Sequence, residues 1–244
     1  MFRIFIISYH TYTTRFLEQA LSMEHDVYSE CNDQHLSLVK TYGELARVSF
    51  IQGKTQEAHD NVNKGLEMVQ EILPQCLSHA RLLFIKGEIE VKNNMNNSEK
   101  HFNEALEIYK INLGQESRHQ GIPLILTSLA AILLQKNDLV KALETITESL
   151  FLFKQIYGSI KHPNQAHALE TQGMIFAKQG KFDLAKESFQ AALDILHDVF
   201  GEDHEHEVIR RVKVSFQNLQ NIKSKKKHPI VSLKEMPHVL GHAK

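Results

Sequence analysis

The chain has 244 residues, 42% of them apolar and 23% charged, with a formal net charge of −1. That size can bury a substantial core, and the near-neutral balance excludes a global field steering the protein to nucleic acid or anionic lipid. The two cysteines, Cys31 and Cys76, match no metal spacing and no disulfide framework. No apolar run approaches the roughly 20 residues that span a bilayer. The stretch Ile4-Phe5-Ile6-Ile7 behind Arg3 is too short for a secretory signal, so a cytoplasmic location is the expectation.

Residues 1–35 read as an N-terminal lead-in followed by one partial-repeat helix. The first thirteen residues lack helical spacing and are expected as a short extended lead-in, or as the ragged start of a longer protein. Thr13 or Thr14 can cap a helix whose apolar positions are Phe16, Leu17, Ala20, Leu21 and Val27. That helix resembles the second half of a repeat whose first half is missing.

From residue 36 to residue 222 helical pairs recur. Leu38, Tyr42, Leu45, Ala46, Val48 and Phe50 line one helix ending near Gln52-Gly53, and Ala58, Val62, Leu66, Val69 and Ile72 line its partner, which Pro74 breaks. Ala80, Leu83, Phe84 and Gly87 precede an Asn-rich turn. Ser98 is expected to cap the next helix, on Phe102, Ala105, Ile108 and Tyr109. Pro123 suits the first turn of a helix through Leu126, Leu129, Ala130 and Leu133, and Lys136-Asn137-Asp138 turns the chain into Ala142, Ile146, Leu150 and Phe153. In the last pair Leu169, Gly173 and Phe176 face Ala185, Phe189, Ala192, Leu193 and Leu196 across Gln179-Gly180-Lys181. The small residues Ala58, Ser98, Ala142 and Ala185 open the second helices at intervals of 40, 44 and 43 residues, the signature of a solenoid of stacked hairpins. A helix from about Glu205 to Ile222, apolar at Val208, Ile209, Val212, Phe216 and Leu219, has no partner after it and reads as a capping helix, with Arg210, Arg211 and Lys213 on its outer side. Residues 223–244, opening with Lys223-Ser224-Lys225-Lys226-Lys227, are expected as a basic flexible tail.

Lys-Gln-Gly-Lys-Phe-Asp-Leu-Ala at 178–185, Phe-Gln-Ala-Ala-Leu at 189–193 and the connectors Phe-Gly-Glu-Asp-His at 200–204 and Tyr-Gly-Ser-Ile-Lys-His-Pro at 157–163 resemble tetratricopeptide repeats. The likeness is to the longer variety found in kinesin light chains and nephrocystin-like proteins. It implies an all-α, right-handed superhelical solenoid of antiparallel helix pairs whose first helices line a concave groove. It implies binding of a partner protein or peptide there, with no chemistry of its own. By repeat position the groove residues would be Lys40, Glu44, Arg47, Arg81, Glu88, Lys92, Thr127, Ser128, Gln135, His167, Glu170 and Lys178, with Ala131 and Met174 between them. Arg47 and Arg81, which can grip a carboxylate bidentately, should matter most for an acidic segment. The paired asparagines with which kinesin light chains grip cargo are absent: Gly43-Glu44, Phe84-Ile85, Thr127-Ser128 and Glu170-Thr171 stand in their places.

The expected function is a non-catalytic interaction scaffold. The alternatives are a kinesin-light-chain-like cargo adaptor in microtubule transport, or the sensor segment of a larger signalling NTPase. No phosphate-binding loop, nucleophile elbow or His-Glu-x-x-His occurs, so neither an enzyme nor a cofactor is expected. The densest histidine cluster, His204 and His206 with Glu202, Asp203 and Glu205, sits on a turn-type connector and is not expected to hold a metal.

Overall fold

The computed structural model describes residues 2–29, 35–91, 94–114, 117–201 and 207–227. Every element among them is an α-helix: α1 (Phe2–Ser29), α2 (Leu36–Ile51), α3 (Thr55–Ile72), α4 (Leu77–Glu90), α5 (Met95–Leu113), α6 (Gly121–Gln135), α7 (Leu139–Tyr157), α8 (Pro163–Lys178), α9 (Phe182–Phe200) and α10 (Glu207–Lys227). They form sequential antiparallel pairs, α2/α3, α4/α5, α6/α7 and α8/α9. Two compact units result, residues 1–160 and residues 161–244.

In the first unit α1 packs on α2, and each second helix packs on the first helix that follows it, α3 on α4 and α5 on α6. The first helices also touch in series, α2 with α4 and α4 with α6, so they form one layer. One core gathers Val39, Ala46, Ala58, Val62, Val69, Leu82, Ile85 and Ile89, and another gathers Leu83, Phe102, Ala105, Ile108, Tyr109, Ile122 and Ile125. In the second unit α8, α9 and α10 enclose Ala166, Ala185, Phe189, Ala192, Leu196, Ile209 and Val212. Burial of these side chains, each contributing about 1.5–3 kcal/mol for the larger ones, holds the pairs together.

Local chemistry explains where the helices stop. After α2, α6 and α8 the chain reverses through Gly53, Asn137 and Gly180, at φ of 80°, 63° and 77°. At each the following N–H reaches back five residues, Lys54 to the Ser49 carbonyl, Asp138 to Leu133 and Lys181 to Phe176, all at 2.9 Å. This closing bond needs a left-handed residue, which glycine and asparagine supply most readily. Close approach of the helices has its own requirement: a Cβ on Gly87 would lie 2.5 Å from the Phe102 ring, and one on Gly173 would lie 2.9 Å from Phe189.

Three repeats are closed by a polar link between residues 37 apart, joining the approach to the first helix with the end of the second. Asn112 Nδ2 donates to the Gln75 carbonyl at 2.7 Å, Tyr157 Oη donates to Gln120 Oε1 at 3.2 Å, and Lys161 pairs with Asp198.

Three expectations need correction. The lead-in is not extended, because α1 runs unbroken from Phe2 and carries Thr13 and Thr14 in its interior. Buried Thr14 there accepts a hydrogen bond from Gln52 Nε2 at 2.9 Å, so tertiary packing outweighs the low helix propensity of threonine. Ser98 is not a cap. Asn94 caps α5 by accepting from Asn97 N at 3.2 Å, and Ser98, fully buried inside the helix, donates to the Asn94 carbonyl. The capping helix extends through the basic run to Lys227, since lysine is a good helix former once an amphipathic stretch has nucleated the helix. Residues 228–244 lie outside the described residues.

Candidate functional site

The layer of first helices in unit 1 presents a charge cluster built across two repeats. Glu44 on α2 is its hub: Arg81 of α4 binds one carboxylate oxygen, and Arg47, one turn along α2, lies 3.6 Å from the other. Both guanidinium side chains remain about half exposed, 48% for Arg47 and 47% for Arg81, which leaves donors facing outward. Lys40 is exposed one turn before Glu44 on α2. Glu88, two turns beyond Arg81 on α4, is a half-buried carboxyl that desolvation pushes up to about 7 against the pull of Arg47. Around neutral pH it is therefore divided between its acid and carboxylate forms. Lys92 lies outside the described residues.

Arg81 also bears on Tyr109 and His119. Burial raises the Tyr109 phenol while Arg81 pulls it down, and desolvation, then Arg81, lowers His119. The His119 ring stacks on Tyr109 at 4.9 Å between centroids, and its Nδ1 accepts the Gly121 N–H at 3.1 Å at the start of α6. The cluster thus abuts the entrance to the third repeat.

The remaining expected groove residues divide between buried and exposed positions. Thr127 is buried, not displayed. Its hydroxyl donates to the Pro123 carbonyl at 2.9 Å and pairs with Ser149 Oγ at 2.8 Å, which fastens α6 to α7. A small hydroxyl at that phase of α6 turns inward because α7 approaches on the same side. Ser128 is half-buried and Gln135 exposed. In unit 2, His167 and Lys178 are exposed on α8, whereas Glu170 is 3% exposed. Arg211 of α10 grips its carboxylate, Nε at 3.2 and 3.1 Å and one terminal nitrogen at 2.7 Å, and Ser215 Oγ adds a contact at 3.4 Å. Glu170 is thus an anchor for α10, and Arg211, read from spacing as an outer residue, faces α8. A sequence signal for both couplings exists: an acid on a first helix is followed about one repeat later by an arginine, Glu44 by Arg81 and Glu170 by Arg211.

The histidines also have structural work. Nδ1 of His35 accepts the Ser37 N–H at 3.2 Å, and Nδ1 of His162 accepts the Asn164 N–H at 3.2 Å, each at the N-terminus of a first helix. Together with His119 they give three of the first helices a histidine cap. His79, inside α4, accepts the Gln75 N–H at 3.1 Å and holds that residue at φ 59°. Among the described residues no group of three or more His, Cys, Asp or Glu side chains is placed to hold a metal, and no helix is long and apolar enough to cross a membrane. The His204–His206 cluster lies outside the described residues.

The tetratricopeptide repeat family profile matches residues 121–198, from α6 into α9. Among solved structures, BtubC (BKLC) from P. vanneervenii is similar at a TM-score of 0.62 and 13% identity, covering 96% of this chain and 99% of that one. A Podosopora anserina protein, named for kinesin light chain and for nearly identical TPR-like repeats, matches at 0.58 and 15% identity over 79% of this chain and 90% of its own. The apo form of RapI matches at 0.61 and 18% identity over 93% and 86%. At such identities these likenesses speak for the fold alone. No curated protein matches the sequence. The recurring hairpins and their glycine and asparagine turns converge with the family match: residues 121–198 are tetratricopeptide repeats, and the described helices before and after them are paired in the same way.

Proposed function

We propose that the chain is a non-catalytic interaction module that receives an acidic segment of a partner protein on the first-helix layer of α2 and α4. The family's usual role is protein binding, and no catalytic family matches. The observation that carries the reading is the Glu44-centred cluster, in which two arginines from successive repeats are held together by one carboxylate yet keep half of each side chain in solvent. An incoming carboxylate can engage the outward donors of both guanidinium groups without rebuilding the site. Exposed Lys40 extends the positive stretch along α2. Glu88 adds a pH dependence, because its ionised form would repel an acidic ligand and compete for Arg47.

The test uses a fluorescent peptide with several consecutive glutamates and the full chain. The double variant Arg47→Glu, Arg81→Glu should lose at least tenfold in affinity while its helical circular dichroism stays unchanged. Wild-type affinity should fall as pH rises through about 7, where Glu88 ionises, and Glu88→Gln should flatten that slope. Binding that survives the double charge reversal sinks the proposed site.

A cargo adaptor of the kinesin-light-chain kind is less well supported. A Cβ at Gly43 would lie 3.2 Å from a Leu82 methyl, so the leucine would have to shift for an asparagine to stand at that position.

A further inference from the structure

The imidazole of His119 stands at the entrance to α6 and is held from three directions. Its backbone N–H donates to Ser117 Oγ at 3.2 Å, its ring stacks on Tyr109, and its Nδ1 accepts the Gly121 N–H. An accepting ring nitrogen carries no proton, so in the neutral imidazole the proton sits on Nε2. Desolvation, and then the Arg81 charge, both favour that neutral form. Among the described residues no hydrogen bond occupies Nε2, and the residue as a whole is exposed. His119 therefore displays one oriented N–H donor, set in place before any ligand arrives.

The neighbours of this donor give it a use. Helices α4 and α5 run antiparallel, and Ala80 and Leu83 share a core with Tyr109 and Ile122. Arg81, exposed between those two buried positions of α4, thus emerges beside the Tyr109–His119 stack, and its charge is felt by both rings. A carboxylate-bearing segment that reaches Arg81 from α2 meets the His119 ring next.

We propose that His119 is a third contact residue for the acidic segment, donating from Nε2 to a carboxylate beside the one that Arg81 grips. This rests on the arginine site proposed above and marks its boundary on the α6 side. The same bond reaches into the fold. A carboxylate accepting at Nε2 polarises the ring and makes Nδ1 a stronger acceptor for the Gly121 N–H. Docking on α2 and α4 is thereby linked to the first turn of α6, and the segment runs from α2 across α4 towards the start of α6.

Two substitutions separate the ligand contact from the helix cap. In His119→Asn the amide oxygen takes over the capping role of Nδ1, but nothing stands in the place of Nε2. In His119→Gln the longer side chain brings an N–H to the place of Nε2, and the cap is lost. The test is binding of the glutamate peptide to the full chain at about pH 7.5, where the ring is neutral. Consecutive glutamates offer a carboxylate in every register. His119→Asn should weaken binding about three- to tenfold, the worth of one ordinary hydrogen bond, and His119→Gln should retain most of the affinity. A histidine that serves only as a cap gives the opposite order. Wild-type protein supplies a reading free of substitution: the His119 Nε2 resonance should move on peptide addition, and exchange of the Gly121 amide should slow. Unchanged affinity in His119→Asn, a loss confined to His119→Gln, or an Nε2 resonance that stays in place overturns the proposal and leaves the arginine site standing. A peptide that fails to bind the wild type overturns both.

Discussion

Glu170 shows how one buried charge can hold an element in place. Its carboxylate is almost wholly withdrawn from water and spends its hydrogen-bonding capacity on Arg211 and Ser215, the contacts that seat α10 on α8. Removing only the cation is costly, because an unpaired buried carboxylate remains. Arg211→Ala should lower unfolding free energy by roughly 1–3 kcal/mol, the lower part of that range being favoured by the half exposure of Arg211. Replacing both partners, Glu170→Leu with Arg211→Leu, should cost less than the single change. Urea denaturation followed by circular dichroism reads the difference, and equal midpoints for the single and double variants would refute the argument. Glu44 offers a contrast: its arginines are exposed, and ion pairs screened in this way are worth little to stability.

At the scale of the helix, ends and contact faces make separate demands. Gly87 has no room for a methyl group against Phe102, and Gly53 has ample room but a left-handed backbone. Gly87→Ala should cost about 1–3 kcal/mol through overpacking, and Gly53→Ala about 1 kcal/mol through backbone strain. Thermal melting of the two variants should rank them in that order. The histidine caps make the helix starts sensitive to acid. Nδ1 of His119 and of His162 can accept a backbone N–H only when that nitrogen is unprotonated, and desolvation holds both groups below the ordinary histidine value, as it does His79. A depressed folded value means that the unfolded chain takes up protons first as pH falls. The caps' contribution is therefore complete above about pH 6.5 and is lost as pH drops through the lowered folded values. Denaturation midpoints should fall between about pH 7.5 and about pH 5. His119→Asn with His162→Asn, which keeps a capping oxygen, should flatten that fall.

Across the molecule, stability is distributed over local interfaces. Within unit 1 each hairpin packs on its sequence neighbours, and the buried clusters fall within one compact unit or the other. Arrays of this kind lose structure repeat by repeat when one interface weakens. Arg211→Ala should therefore speed amide exchange in α8 to α10 well before it touches α2 to α5.

Much of this was legible in the residues alone. Period, turn and small-residue spacing determine that Leu139 to Tyr157 and Phe182 to Phe200 are helices, because amphipathic stripes and left-handed turn residues act over only a few positions. The same local rules found the helix beyond Thr14 but missed the first half of α1. They also placed Thr127, Glu170 and Arg211 on the wrong sides. Repeat position says which helix face a residue occupies; whether that face meets solvent, a neighbouring hydroxyl or an arginine 41 residues away depends on which helices the stack brings together. Burial and charge pairing are properties of that assembly, so tertiary structure alone separated Arg47 and Arg81, half in solvent, from Glu170, consumed in holding the fold.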